Sequence, residues 1–292
     1  MCVTRRLAEH QHMTTADLDE AANAQLVIWN DLVGDAWVRH ADLHDRQAEP
    51  FGAAAMDAVG SVAGATVLDV GCGTGASSLA LADRGASEVV GVDLSVPMID
   101  AARSGDGPSE VTFTAGDVLA LHRPRHFDVI FSRFGVMFFA DAVAGFAHLR
   151  RLGKPVARLG FCCWGLPADN PWMLLPVMAS VPVLGPPQLA GPAEPGPFSL
   201  SSPDVIADVI GRGGWTDIAV EPFTIDQPHP AGDADAVARV VVEFSPPIVQ
   251  GLRKHPQRTD EVCDAIAAAL RPLERDGVVH LPTSALIVTA HA

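Results

Sequence analysis

Val67-Leu-Asp-Val-Gly71-Cys-Gly73-Thr-Gly75 is the stretch on which the reading of this chain turns. A strand-like apolar run, Thr66–Val70, leads into three glycines within five residues, and a helix-like stretch, Ala76–Arg84, follows at once. Glycine lacks a Cβ and accepts φ > 0, so the backbone here can turn sharply and approach a ligand closely. Such a loop alone is shared with dinucleotide enzymes. Asp69 narrows the choice: two positions before the first glycine, it sets a carboxylate at the strand end facing the pocket. A phosphate would be repelled there, whereas a cationic amino-acid group would be held.

Two more acids follow at equal intervals. Asp93, in Gly91-Val-Asp-Leu-Ser95, closes the next strand-like run 24 residues later. An acid in that place accepts the hydroxyl hydrogens of a ribose. Asp117, in Ala115-Gly-Asp-Val118, comes 24 residues further on and is a candidate for an adenine amino group, with Val118 covering the ring. Phe127-Asp-Val-Ile-Phe-Ser132-Arg-Phe134-Gly-Val-Met-Phe-Phe139 then runs off a fourth strand into an aromatic loop beside the topological switch point.

Outward from the loop, short apolar runs at Glu88–Val92, Val111–Thr114, Phe127–Phe131 and Arg158–Cys163 alternate with helices near Val96–Arg103 and Asp141–Leu152. Runs this apolar, separated by helices, describe an α/β fold: a doubly wound parallel sheet covered on both faces. Upstream, a loose leader to about Met13 precedes a helix capped at Thr14 or Thr15 and running to about His44, then a second helix over Phe51–Val59. Downstream come an uncharged proline-rich segment, Pro171–Ala193, a helix near Ser202–Gly211 and a strand near Asp217–Ile225. A helical or loop insert over about Gly232–Asp276 and a last apolar run, Ser284–Ala290, follow. The division expected is an N-terminal helical cap (1–60), a cofactor core (61–166), an apolar lid (167–200) and a C-terminal completion of the sheet (201–292).

The 292 residues carry a formal charge of −15, with 35 acidic against 20 basic side chains. That balance argues against nucleic acid or an anionic membrane as partner. The six prolines of Pro171–Ala193 argue against a spanning helix. Five cysteines form no disulfide framework and no signal peptide is apparent, so a reducing cytoplasm is expected. Only Lys154 and Lys254 among the basic residues are lysine, a usage that hints at a GC-rich bacterial genome.

Taken together, LDVGCGTG, GVDLS, GDV and FDVIFSRFGVMFF resemble the class I S-adenosylmethionine-dependent methyltransferases, and most of all their small-molecule, ubiquinone/menaquinone-biosynthesis branch. The resemblance is dense over residues 65–172. It implies a Rossmann-like seven-stranded sheet with an antiparallel last strand and N-terminal helices. It implies S-adenosylmethionine as cofactor and a small methyl acceptor, expected to be apolar, as substrate. Asp69, Gly71, Cys72 and Gly73 would line the methionine and sulfonium part. Asp93 would take the ribose, with Leu94 and Met98 beside the adenosine. Gly116, Asp117 and Val118 would address adenine, and Ser132 and Phe134 would floor the site beside the methyl. The turn Arg151–Arg158 departs from the family's Pro-Gly-Gly turn.

His40 and His44, four apart on one expected helix, are general-base candidates, although a solvated helix face explains them as well. With no third ligand, a metal is not expected. Trp29 and Trp37 are candidate cofactor contacts, and eight residues apart they equally fit the apolar stripe of one helix. Arg133 is a candidate for an anionic substrate group or for an ion pair. Asn170-Pro171 reads as a helix start with Asn170 as cap. Rival functions are a non-methylating enzyme on the same fold, such as a cyclase, and a nicotinamide-dependent oxidoreductase. Pro171–Ala193 reads as a substrate lid or as a homodimer interface.

Overall fold

The structure, a computed structural model, describes residues 15–292 except Gln188, Ala190, Pro192 and Ala193. The expected leader, its two histidines and the Thr14 cap lie outside the described residues, as do those four positions of the apolar segment. In chain order the elements are α1 (Thr15–Val27), a π-helical turn (Ile28–Leu32), α2 (Gly34–Arg39), α3 (Ala41–Val59), β1 (Thr66–Val70), α4 (Ala76–Asp83), β2 (Glu88–Asp93) and α5 (Val96–Ser104). Next are β3 (Val111–Ala115), β4 (Phe127–Arg133), α6 (Ala142–Leu152), β5 (Gly153–Trp164), α7 (Pro171–Leu184) and α8 (Pro203–Arg212). The chain closes with β6 (Thr216–Pro228), α9 (Ala234–Phe244), α10 (Pro246–Lys254), α11 (Thr259–Leu270), β7 (Glu274–Arg275) and β8 (Val278–His291).

The sheet order is β3-β2-β1-β4-β5-β8-β6, with the two-residue β7 paired only to β8. β1 to β5 run parallel, and β8 lies antiparallel between β5 and β6. This is the seven-stranded, doubly wound arrangement with an antiparallel last strand. The inner strands β1, β2 and β4 are apolar on both faces because both are covered, whereas the edge strands β3 and β6 alternate with exposed positions. Leu68, Val90, Ile130 and Phe161 pack with Phe146, Ile206 and Trp215 on one side. Val67, Val89, Val129 and Phe131 pack under Phe51, Ala55 and Val59 of α3 on the other. The order reverses between β1 and β4, so the glycine loop after β1 opens at the switch point.

Five local expectations are corrected. The N-terminal helix does not run unbroken to His44: a π turn interrupts it at Ile28–Leu32, and His40 stands between α2 and α3. Pro50 lies inside α3 instead of ahead of a second helix, and burial of Phe51, Ala55 and Val59 outweighs its lost backbone bond. Pro171–Leu184 is a helix despite Pro176 and Pro182, because Val177 and Val183 are anchored in a third core with α9, α11, Val279 and Leu281. Asn170 stands at the cap position of α7 without capping it. Its amide donates to Ser284 O at 2.9 Å and accepts from Ser284 N at 3.0 Å, tying α7 to β8. The unusual Arg151–Arg158 stretch is no turn, since Gly153 already pairs with Phe127 and a register shift absorbs the extra residues.

Candidate active site

The glycine loop is built around Asp93. Gly71, Gly73 and Gly75 have φ of 68°, 57° and 94°, where a side chain is strained. At Gly71 a Cβ would also fall 2.7 Å from the Cα of Gly135, so the loop after β4 presses directly on the loop after β1. Gly71 N–H donates to Val92 O and Gly116 N–H to Asp93 O, each at 2.8 Å. The Asp93 carboxylate accepts from Gly73 N–H and from Ser95 N–H, both at 2.8 Å. Three strand ends are thereby knitted into one surface. Burial raises the pKa of Asp93, while its two backbone bonds pull the other way.

Asp69 is fully buried. Its Oδ2 accepts from Ser77 Oγ and Ser78 Oγ, both at 2.7 Å, and its Oδ1 has no partner. Desolvation raises its pKa against those two bonds. A sealed, unpartnered acceptor beside a glycine loop suits the ammonium of an amino-acid moiety, so the residues fit the cofactor that the sequence implies. Cys72 is a small buried residue of the turn. Burial pushes its thiol well above its ordinary range, with Asp69 and Asp93 adding to the shift, so it is no nucleophile.

Asp117 accepts from Leu119 N–H at 2.8 Å and so orders the loop that carries buried Val118. Met98 is buried, its sulfur 3.7 Å from where a Cβ on Gly73 would lie, and Leu94 is half-buried beside it. Ser132 is sealed: it donates to Val70 O at 2.7 Å and accepts from Gly135 N–H at 3.1 Å, riveting the loop after β4 onto the end of β1. Phe134, with φ of 62°, stacks on Trp164 at 3.8 Å and meets Phe51 edge-on at 5.8 Å. Arg133 pairs with Asp45 at 2.5 Å, away from open solvent.

The N-terminal elements close over this surface. Within the π turn, Asn30 donates to Leu94 O at 3.1 Å and accepts from Val96 N–H at 2.8 Å, bracketing Ser95. Ser95 Oγ donates to Trp29 O at 2.8 Å, and Trp29 meets Phe138 edge-on at 5.1 Å. π turns recur at functional sites, and here the turn aims Asn30 at the Asp93 loop. Trp37 lies against Trp29 and stacks on His44 at 3.9 Å. The two histidines diverge. His40 approaches Glu243, also paired with Arg39, at 3.3 Å on the rim of a cleft of about 440 Å³. His44 turns inward; burial and the neighbouring His40, His229 and Arg133 hold its pKa at about 3. Among the described residues no cluster of three metal-ligating side chains occurs.

Residues 67–156 match the family model for a methyltransferase domain. A demethylmenaquinone methyltransferase of Renibacterium salmoninarum is 27% identical over 71% of this chain and 90% of its own length. The matched segment is a methyltransferase domain, and over most of its length the chain is similar to a demethylmenaquinone methyltransferase. A methyltransferase domain on this fold supports S-adenosylmethionine as the cofactor. A second demethylmenaquinone methyltransferase, from Beutenbergia cavernae, is 36% identical over 41% of this chain, and the match spans about half of that relative (48%). The solved 1,6-didemethyltoxoflavin-N1-methyltransferase of Burkholderia thailandensis shares the fold, with a TM-score of 0.52 at 17% identity over 97% of this chain and 92% of its own.

For this methyltransferase, the strand-end acids and glycines that the sequence singled out do converge on one surface. Residues that it did not single out complete the surroundings: Asn30, which joins the candidate Trp29 over the Asp93 loop, Phe51 and Trp164 next to Phe134, and Trp172 against Trp164. Asn30 sits in the mixed stretch Val27-Ile-Trp-Asn-Asp-Leu-Val33, which carries no signal for its role. Trp164 and Trp172 each close or open an element, a position that spacing does not mark.

Proposed function

We propose that this methyltransferase moves the methyl group of S-adenosylmethionine to a small, largely apolar molecule. The observation that carries the reading is the aromatic wall that starts at the glycine loop: Gly135 touches Gly71, and Phe134 beside it opens a run of rings through Trp164, Phe51, Phe223 and Trp172. In this reading Asp69 Oδ1 receives the cofactor ammonium, Asp93 the ribose, and Gly116, Asp117 and Val118 the adenine. Leu94 and Met98 cover the adenosine, while Gly71, Cys72 and Gly73 shape the backbone beneath the sulfonium. Ser132 serves by fixing the loop that sets Phe134.

When bound, the cofactor supplies an already activated methyl group. The protein's share is to align the acceptor and exclude water, and positioning of that kind lowers a barrier by roughly 7–11 kcal/mol. No strong base is required. His44, held neutral, serves as a hydrogen-bonding group, and His40 faces Glu243. Residues 15–60 act as a cap, and α7 as the outer cover of the acceptor side. That no described helix is long and apolar enough to cross a membrane, and that four thiols are free and buried, accords with a cytoplasmic enzyme.

Incubation with methyl-labelled S-adenosylmethionine and a fractionated metabolite extract tests the reading. Label in an organic-extractable small product is expected. Cofactor consumption without label in any acceptor would favour the cyclase-type alternative and overturn methyl transfer.

A further inference from the structure

We propose that the acceptor presents oxygen lone pairs and carries no positive charge, and that the side-chain N–H groups of Gln47, Trp37 and Trp172 select it. This rests on the methyl-transfer reading above and specifies its substrate class. Gln47 Nε2, Trp37 Nε1 and Trp172 Nε1 are sealed from solvent and have no hydrogen-bond partner. The Gln47 and His44 side chains are 7% and 9% exposed, and His44 Nε2 is also unpartnered.

All of these groups belong to one wall. His44, Gln47 and Phe51 succeed one another along the buried face of α3. Trp37 stacks on His44, and both meet Phe244 edge-on at 5.8 and 4.6 Å. Phe51 touches Phe134 and Trp164, and Trp172 meets Trp164 at 5.5 Å. Phe134 borders Gly135, which lies against the glycine loop.

The donor chemistry decides between two guests for such a wall. Aromatic rings alone would attract an ammonium through their π faces. An indole N–H and an amide NH₂ nitrogen, however, only donate, and an ammonium has no lone pair to offer them. Leaving each such donor buried and unpaired costs about 1–3 kcal/mol, so three on one surface call for a guest that brings acceptors. The charged groups nearby are already matched: Arg133 by Asp45, and Asp69 Oδ2 by two serines. Asp69 Oδ1, a sealed acceptor, lies at the glycine loop and not on this wall.

Three probes of one shape separate the guests: 1-acetylnaphthalene, 1-ethylnaphthalene and 1-(1-naphthyl)ethylammonium. Each is titrated calorimetrically into the full-length protein saturated with S-adenosylhomocysteine. The ketone should bind at least about tenfold tighter than the hydrocarbon, and the ammonium no tighter than the hydrocarbon. In the Gln47→Leu, Trp172→Phe double variant the ketone's advantage should fall below about threefold. Its S-adenosylhomocysteine affinity should hold, and the Gln47→Leu single variant, which keeps every ring and removes an unpaired donor, should not lower the urea midpoint. A purely structural role would instead lower the midpoint and leave the ketone's advantage intact. The proposal is overturned if the ketone has no advantage, if the ammonium binds best, if none of the three binds, or if the double variant keeps the full preference. Failure of the methyl-transfer reading would appear separately, as cofactor consumption without label in any acceptor, and failure of the cofactor site as absent S-adenosylhomocysteine binding, in which case the three-probe comparison is made on the free protein.

Discussion

Asp93→Asn is the substitution whose consequence follows most directly from the geometry. The carboxylate accepts two backbone N–H groups, from Gly73 and Ser95, at 2.8 Å each. Asparagine keeps one acceptor oxygen and turns an NH₂ toward the other N–H, so one charge-assisted bond is replaced by two opposed donors. Such a bond contributes about 1.5–3 kcal/mol. Gly73 and Asp93 are only partly buried, so water can satisfy the freed N–H in the absence of cofactor. The loss therefore falls on cofactor binding more than on folding: the affinity should weaken by roughly 10- to 150-fold, at 1.4 kcal/mol per tenfold, with a small change in unfolding midpoint. Isothermal titration with S-adenosylhomocysteine reads this directly. An affinity within about threefold of wild type would refute the central place given to Asp93.

Other expectations follow from the same structure. Asn30→Ala removes both bonds around Ser95 and should speed cofactor dissociation about 5- to 20-fold while exposing the Val96 amide to hydrogen exchange; unchanged protection would refute the bracket. Gly71→Ala meets the backbone of Gly135 at 2.7 Å and should abolish cofactor binding, as seen by titration. Asn170→Leu strands the buried Ser284 N–H and should cost about 2–4 kcal/mol in urea unfolding. Burial holds His44 at about 3 and His229 at about 4, so the fold prefers both neutral. Their contribution is complete above the ordinary histidine value and is lost as pH falls, by up to about 1.4 kcal/mol per pH unit for each, until each takes its proton. The raised Asp69 and Asp93 act oppositely at the acidic end, since their burial penalty is relieved on protonation. The difference between wild type and His44→Phe isolates the histidine: the variant should lose less stability between pH 6 and 4, and equal slopes would contradict the assignment.

What was legible in the sequence was the part made by contiguous residues. A strand end, its glycines and an acid two positions earlier are fixed relative to one another by the backbone, so the places of Asp69, Asp93 and Asp117 at three strand ends are legible from spacing. The covered sheet was readable for the same reason, because strands buried on both faces write unbroken apolar runs. Contacts between distant segments leave no such trace. Asn30 reaches Leu94 and Val96 across more than sixty residues, and nothing in Trp29-Asn30-Asp31 announces it. Asn170 read as a helix cap because caps are local, whereas its bonds go to Ser284, 114 residues away. The prolines of α7 suggested a broken segment, because the cost of a proline in a helix is visible in sequence and the core that offsets it is not.

The central claim is that the glycine loop and its acids form a site for S-adenosylmethionine. Calorimetric titration of the full-length protein with S-adenosylmethionine, and separately with a nicotinamide dinucleotide, tests it most directly. The structure predicts saturable one-site binding of S-adenosylmethionine that is lost in Gly71→Ala, and none of the dinucleotide. Binding of the dinucleotide with no response to S-adenosylmethionine would contradict it.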